Sequence, residues 1–350
     1  MVLLITGGCG FLGTNLARRA IATGHRVIAF DNLRRVGAME NLRWLRAQGD
    51  ANFVHGDISN AEEVARAVEE AEPDAVFHVA GQVAMTTSVV NPRRDFEINA
   101  LGALNLLEAI RRMRPDAPVL YASTNKVYGD LSQYTYHETS TRYKCAEKPN
   151  GFDEDTPLQF QSPYGCSKGA ADQYFLEYGR TYGLPVVVLR HSSIYGERQF
   201  STVDQGWIGW FCQKALEAKV DPTSVFTISG DGKQVRDALH IDDAVSLYFA
   251  ALDRMSTVRG SAFNIGGGPS NSLSLLELFA LLERQTGAHL QYQRLPWRQS
   301  DQRVFVADIR KAHRMLGWRP EISADEGVRR MLQWTAALAS VSEPVARRRG

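Results

Sequence analysis

The apolar run Val2-Leu3-Leu4-Ile5 passes straight into Thr6-Gly7-Gly8-Cys9-Gly10-Phe11-Leu12-Gly13, and the stretch that follows has an apolar helical face of Leu12, Leu16, Ala17 and Ala20. A strand that is apolar at every position is buried on both faces, which restricts such a chain to a parallel sheet covered by helices on each side. The rhythm repeats at residues 27–30, 75–79, 119–122 and 186–189, with amphipathic stretches between them. Alternation of this kind predicts a doubly wound α/β fold. With 350 residues and 44% apolar content the chain is long enough to bury a large core in one domain or two interleaved lobes.

Gly7, Gly10 and Gly13 stand at the strand-to-helix turn. Glycines there allow a tight turn and close backbone approach, and the helix N-terminus offers unpaired N–H groups to a pyrophosphate. Asp31 ends the second apolar run, at the distance where a carboxylate meets the ribose hydroxyls of a dinucleotide and repels a 2′-phosphate. This favours NAD over NADP, although Arg34 and Arg35 are placed where they could hold such a phosphate. Asp57 suits either the adenine edge or a turn. Ala80, Gly81 and Gln82 close the strand that contains His78, small enough for a cofactor to pass, and His78 itself is expected to pack. The expected architecture is a Rossmann domain over residues 1–190 and a smaller C-terminal substrate-binding lobe over 191–350. Residues 237–265 are expected to return in part to the first domain, and helices to occupy 205–218, 272–287 and 324–339.

Forty basic residues against 39 acidic ones leave a formal charge of +1, too little to steer nucleic acid or an anionic membrane surface. The start of the chain has neither a charged leader nor a long apolar stretch, so a cytoplasmic protein with no membrane partner is expected. Cys9, Cys145, Cys166 and Cys212 are widely separated, without metal-ligand spacing. Neither a metal nor a disulfide framework is implied. Residues 130–162 break the rhythm and read as a long loop, either a lid or subunit contact or a surface excursion. The Arg347-Arg348-Arg349 end reads as solvated and frayed.

Tyr164 and Lys168, in Ser162-Pro163-Tyr164-Gly165-Cys166-Ser167-Lys168, are four residues apart, so on a helix they share one face. A cation beside a phenol favours phenolate, which would lower the tyrosine pKa toward that of a working general base. The ordered set of the glycine turn, Ser123-Thr124 at the end of an apolar strand, Tyr164-x-x-x-Lys168, Arg236-Asp237-x-x-His240-x-x-Asp243 and Asp301-Gln302-Arg303 resembles the extended short-chain dehydrogenase/reductases that act on nucleotide sugars. The likeness runs through nearly the whole chain. It implies that Tyr164 takes the proton of a sugar hydroxyl, that Lys168 holds the nicotinamide ribose and that Thr124, or by strand alternation Ser123, binds the reacting oxygen. It also implies tightly held NAD, an oligomer (tetramer or dimer), and a cofactor-binding set that includes Phe11, Leu12, Asn32, Ile58, Asn99, Ser123 and Arg190.

Dehydratases of that family carry an Asp-Glu pair directly after the threonine, whereas this chain has Asn125-Lys126. Epimerisation through a transient ketone needs no such pair and ranks first. Closer likeness at residues 81–88, 123–130, 190–193 and 204–207 points to members that epimerise a CDP-hexose at C2. Epimerisation of a UDP-sugar at C4 is the second reading, and a non-catalytic dinucleotide sensor is a third. Since the sugar must turn while the nucleotide stays fixed, Arg236 and Arg303 are the expected phosphate anchors. Gln82, Ser193, Gln205 and Trp207 are expected to border nucleotide or sugar, and Tyr128 either touches the sugar or packs.

Overall fold

The computed structural model describes residues 1–298 and 301–346; the Arg347-Arg348-Arg349 end lies outside the described residues. Seven parallel strands form the central sheet, in the order Ser261–Ile265, Val186–His191, Val119–Thr124, Ala75–His78, Val2–Thr6, Arg26–Asp31 and Ala51–His55. From Val2–Thr6 the chain first builds outward to Ala51–His55, then crosses back to lay Ala75–His78 on the other side. Strand order therefore reverses between Val2–Thr6 and Ala75–His78, and the loops leaving these two strands part at the place where such sheets bind ligands.

Alternation along each strand divides the apolar residues between two cores. Leu3, Ile5, Val27, Phe77 and Phe263 pack on one face with Leu16 and Ala20 of the helix Phe11–Ala22 and Val245 and Tyr248 of the helix Ile241–Asp253. Leu4, Ile28, Val76, Tyr121 and Val188 point the other way, toward the helices Ala61–Ala71, Gly102–Met113 and Ser162–Tyr182.

The C-terminal part holds its own core of Tyr195, Phe211, Phe226, Phe279, Leu282 and Met331. The expected helices are present as Trp207–Val220, Leu275–Thr286 and Ala324–Ala346. The return to the first domain begins later than residue 237. Val235–His240 pairs with Ser193–Tyr195, Ser272–Ser274 and Val304–Phe305 in a second sheet, while its Leu239, the following helix and Ser261–Ile265 join the first domain. A further return comes at Arg310–Leu316, where Ala312, Leu316 and Trp318 join the first core.

Residues 130–162 are not a structureless loop. They contain a hairpin of Tyr136–Glu138 and Tyr143–Cys145, and Phe152, fully buried, bridges in parallel to Ala307. Leu131, Tyr143, Cys145 and Phe152 share a core with Val235 and residues 304–307. The apolar residues of this segment follow neither strand nor helix period, because their partners lie in a distant part of the chain.

Candidate active site

At the switch point the glycine turn folds against its own backbone. A Cβ on Gly7, whose φ is +72°, would lie 2.7 Å from the Ala80 nitrogen, and one on Gly13 would lie 2.1 Å from the Gly7 oxygen. Gly10 caps the helix Phe11–Ala22 with no side-chain hydrogen bond, and the first turn carries no acidic residue. The N–H groups of Phe11, Leu12 and Gly13 are thus without an internal cap, and the helix end is open to an anion.

Asp31 is buried beside this turn. Its carboxylate accepts from the Cys9 N–H at 3.0 Å and the Leu33 N–H at 2.8 Å, while burial raises its pKa. Asp57 makes a turn, accepting from the Ser59 N–H and hydroxyl, and its other oxygen accepts from Asn32 at 3.0 Å. Ile58 is buried against Gly102. Ala80 lies on Gly7, and Gly81 lies between Asn99 and the Lys168 ammonium. These groups fit a dinucleotide: an uncapped helix end for its pyrophosphate, a carboxylate at the ribose position, and a lysine where the far end would lie.

Tyr164 and Lys168 sit on the sheet-facing side of Ser162–Tyr182, both buried, and Thr124 ends the neighbouring strand. The Thr124 hydroxyl accepts from the Lys126 N–H at 3.2 Å and faces the Tyr164 phenol, so of the two adjacent hydroxyls it is threonine that lies beside the tyrosine. The expected lowering of the tyrosine pKa by the lysine is not found. Burial pushes Tyr164 up to about 12, with Thr124 opposing, because Lys168 does not touch it. The ammonium donates to the Ala122 carbonyl at 2.6 Å and stands 4.3 Å over the Tyr121 ring. Burial in turn lowers Lys168 to about 7, with Asp172 and Asp95 opposing.

Three expected ligands lie elsewhere. Ser123 points to the other face of its strand and donates to Asp172 at 2.6 Å. Arg190 holds Asp172 through two bonds, of 3.0 and 2.9 Å, and donates to the Tyr128 hydroxyl at 3.0 Å. Tyr128 is fully buried and donates to Asn264 at 2.7 Å, so its side chain packs inside the protein. The side chains of Ser123 and Arg190 are thus engaged inside the protein, both on Asp172. Gln82 also spends its side chain inside the protein, on Ala84 and Asp95. His78 packs as expected, 2.7 Å from the Thr6 hydroxyl and held neutral by burial, which lowers it to about 3.

On the lobe side, Trp207 donates to Ser193 at 3.0 Å, and Gln205 has a buried side-chain oxygen with no partner among the described residues. Arg236 pairs with Asp301 at 2.6 Å, and Arg303, exposed, lies over the Tyr143 ring. Lys126 joins the first pair, 3.8 Å from Asp301, with its pKa lowered to about 8 by burial and by Arg236. Two cations, Lys126 and Arg236, thus gather around Asp301 close to Thr124. Lys126 was legible only as the absence of an acid pair, and Asp95 carried no sequence signal at all.

The chain belongs to the NAD dependent epimerase/dehydratase family, whose pattern matches residues 3–266, and NAD is its cofactor. It is 60% identical over 338 residues to the CDP-paratose 2-epimerase of Salmonella typhi, covering 97% of this chain and all of that one. Among solved structures, the UDP-glucose 4-epimerase of Thermotoga maritima with UDP-glucose is similar at 30% identity and a TM-score of 0.82, covering 97% of this chain and 100% of that one. The UDP-glucuronic acid 4-epimerase of Bacillus cereus, in complex with UDP-glucuronic acid and NAD, has the same TM-score at 25% identity, covering 97% and 100%.

Proposed function

We propose that this chain is an isomerase that epimerises a CDP-hexose at C2, interconverting CDP-paratose and CDP-tyvelose through a transient 2-keto sugar. The carrying observation is 60% identity along nearly the whole chain to a CDP-paratose 2-epimerase, together with Thr124 at the end of Val119–Thr124 facing Tyr164 on the helix Ser162–Tyr182. Bound NAD supplies a reversible two-electron acceptor. Tyr164 takes the hydroxyl proton of the reacting carbon and returns it, Thr124 fixes that oxygen, and Lys168 grips the cofactor ribose. Arg236 and Arg303 bind the diphosphate, leaving the hexose free to present its other face; Ser193, Gln205 and Trp207 border the nucleotide.

Deuterium placed at C2 of the CDP-hexose is expected to slow turnover by a primary isotope effect and to remain at C2 of the product. A C4 label is expected to have no effect. Slowing by the C4 label alone would assign the chain to 4-epimerisation instead.

We further propose a cytoplasmic homo-oligomer, a dimer or tetramer. No helix among the described residues is long and apolar enough to cross a membrane. Phe96, Tyr174 and Tyr182 are 55%, 46% and 52% exposed on neighbouring helices of one face, an apolar strip suited to a second copy of the chain. Sedimentation equilibrium is expected to give a multiple of 38.9 kDa that falls toward the monomer in Phe96→Lys/Tyr174→Lys.

A further inference from the structure

Asp95 lies on the short helix Pro92–Phe96, fully buried, and no step of the reaction uses it. Three donors converge on its carboxylate: the Gln82 side-chain amide at 2.7 Å, the Asn99 amide at 3.3 Å and the Ser167 hydroxyl. Burial raises its pKa, and all three opposing donors give hydrogens to it, as they would to an ionised carboxylate. Each donor belongs to the cofactor or catalytic elements. Gln82 follows the turn Ala80-Gly81, Asn99 sits on the π-helical turn Glu97–Leu101, and Ser167 precedes Lys168.

A lysine buried as deeply as Lys168 loses its charge unless a carboxylate opposes burial. The titratable groups around it can be enumerated. On its own helix are Tyr164 and Asp172; from the strands come His78, Tyr121 and His191; from Pro92–Phe96 comes Asp95. Both histidines are held neutral, lowered to about 3 by burial and by the lysine itself. The tyrosines are held neutral by burial. Asp172 opposes the burial of Lys168 more than Asp95 does, but it is shared with Arg190 through a two-bond pair. Asp95 makes no ion pair among the described residues, so its charge is the one not yet neutralised.

We propose that Asp95 is a positioning residue: the buried counter-ion that keeps Lys168 cationic and thereby sustains the lysine's hold on the dinucleotide. This rests on the assignment of the site to NAD, but not on which sugar or which carbon reacts. The test is therefore read without sugar, as the rate of NAD release from the loaded protein between pH 6 and 10, followed by loss of bound nucleotide on rapid filtration. Wild type is expected to release NAD faster above a midpoint set by Lys168. Removing a negative charge favours the neutral amine, so Asp95→Asn is expected to move that midpoint down by about one pH unit. Asp95→Glu is expected to restore it, and Asp95→Ser, smaller and equally uncharged, to behave like the amide. Lys168→Gln is expected to remove the limb altogether. Release that quickens equally at every pH in the neutral variants, an unmoved midpoint, or a limb that survives in Lys168→Gln would overturn the proposal.

Discussion

Tyr164→Phe is expected to lower turnover by about 10²–10⁴-fold, the usual contribution of a positioned proton acceptor, while the protein retains its NAD. The variant deletes only the oxygen, and the ring stays in its buried place between the catalytic strand and helix. Burial pushes the wild-type phenol up to about 12, so its ionised form is disfavoured and the proton it takes is firmly held. Turnover and the content of released NAD, measured on the same preparation, check both halves of the expectation. Unchanged turnover with intact folding would remove Tyr164 from the chemistry and favour a non-catalytic nucleotide sensor.

Arg190→Met is expected to destabilise the fold by about 3–5 kcal/mol, since it leaves Asp172 charged and uncompensated in the interior. Denaturant unfolding of the cofactor-free protein is the appropriate measurement. An arginine whose task was to bind the dinucleotide would instead lower NAD affinity and leave the free protein's stability nearly unchanged. Combining Arg190→Met with Asp172→Leu is expected to recover much of the loss, because the pair is then replaced by apolar groups of similar bulk.

The parts of the site that could be read from sequence are those set by local spacing. The glycine turn, Asp31 and the pair Tyr164 and Lys168 each depend on a strand end or a helical repeat within a few residues, and all occupy the expected places. What spacing alone does not give has a different cause. Ser123 and Thr124 are chemically interchangeable neighbours, and only the phase of the strand sends one hydroxyl to Tyr164 and the other to Asp172. Arg190 and Tyr128 are claimed by partners such as Asp172 and Asn264, reached through the fold and not through the sequence. The Lys168 ammonium obeyed its spacing, yet a choice of rotamer aimed it at the Ala122 carbonyl instead of the phenol. The segment before Tyr164 was opaque because Phe152 finds its place against residues 306–308, in a distant part of the chain.

The strand Ser261–Ile265 sits at one margin of the main sheet, beside Val186–His191, although a first part of the small lobe is encoded between them. During synthesis the earlier strands therefore emerge with an unsealed border, and they keep it until the intervening lobe has left the ribosome. Neither half is an autonomous module: a fragment ending after Val186–His191 carries a sticky edge, and a fragment beginning there lacks the surface on which its own returning helix and strand must settle.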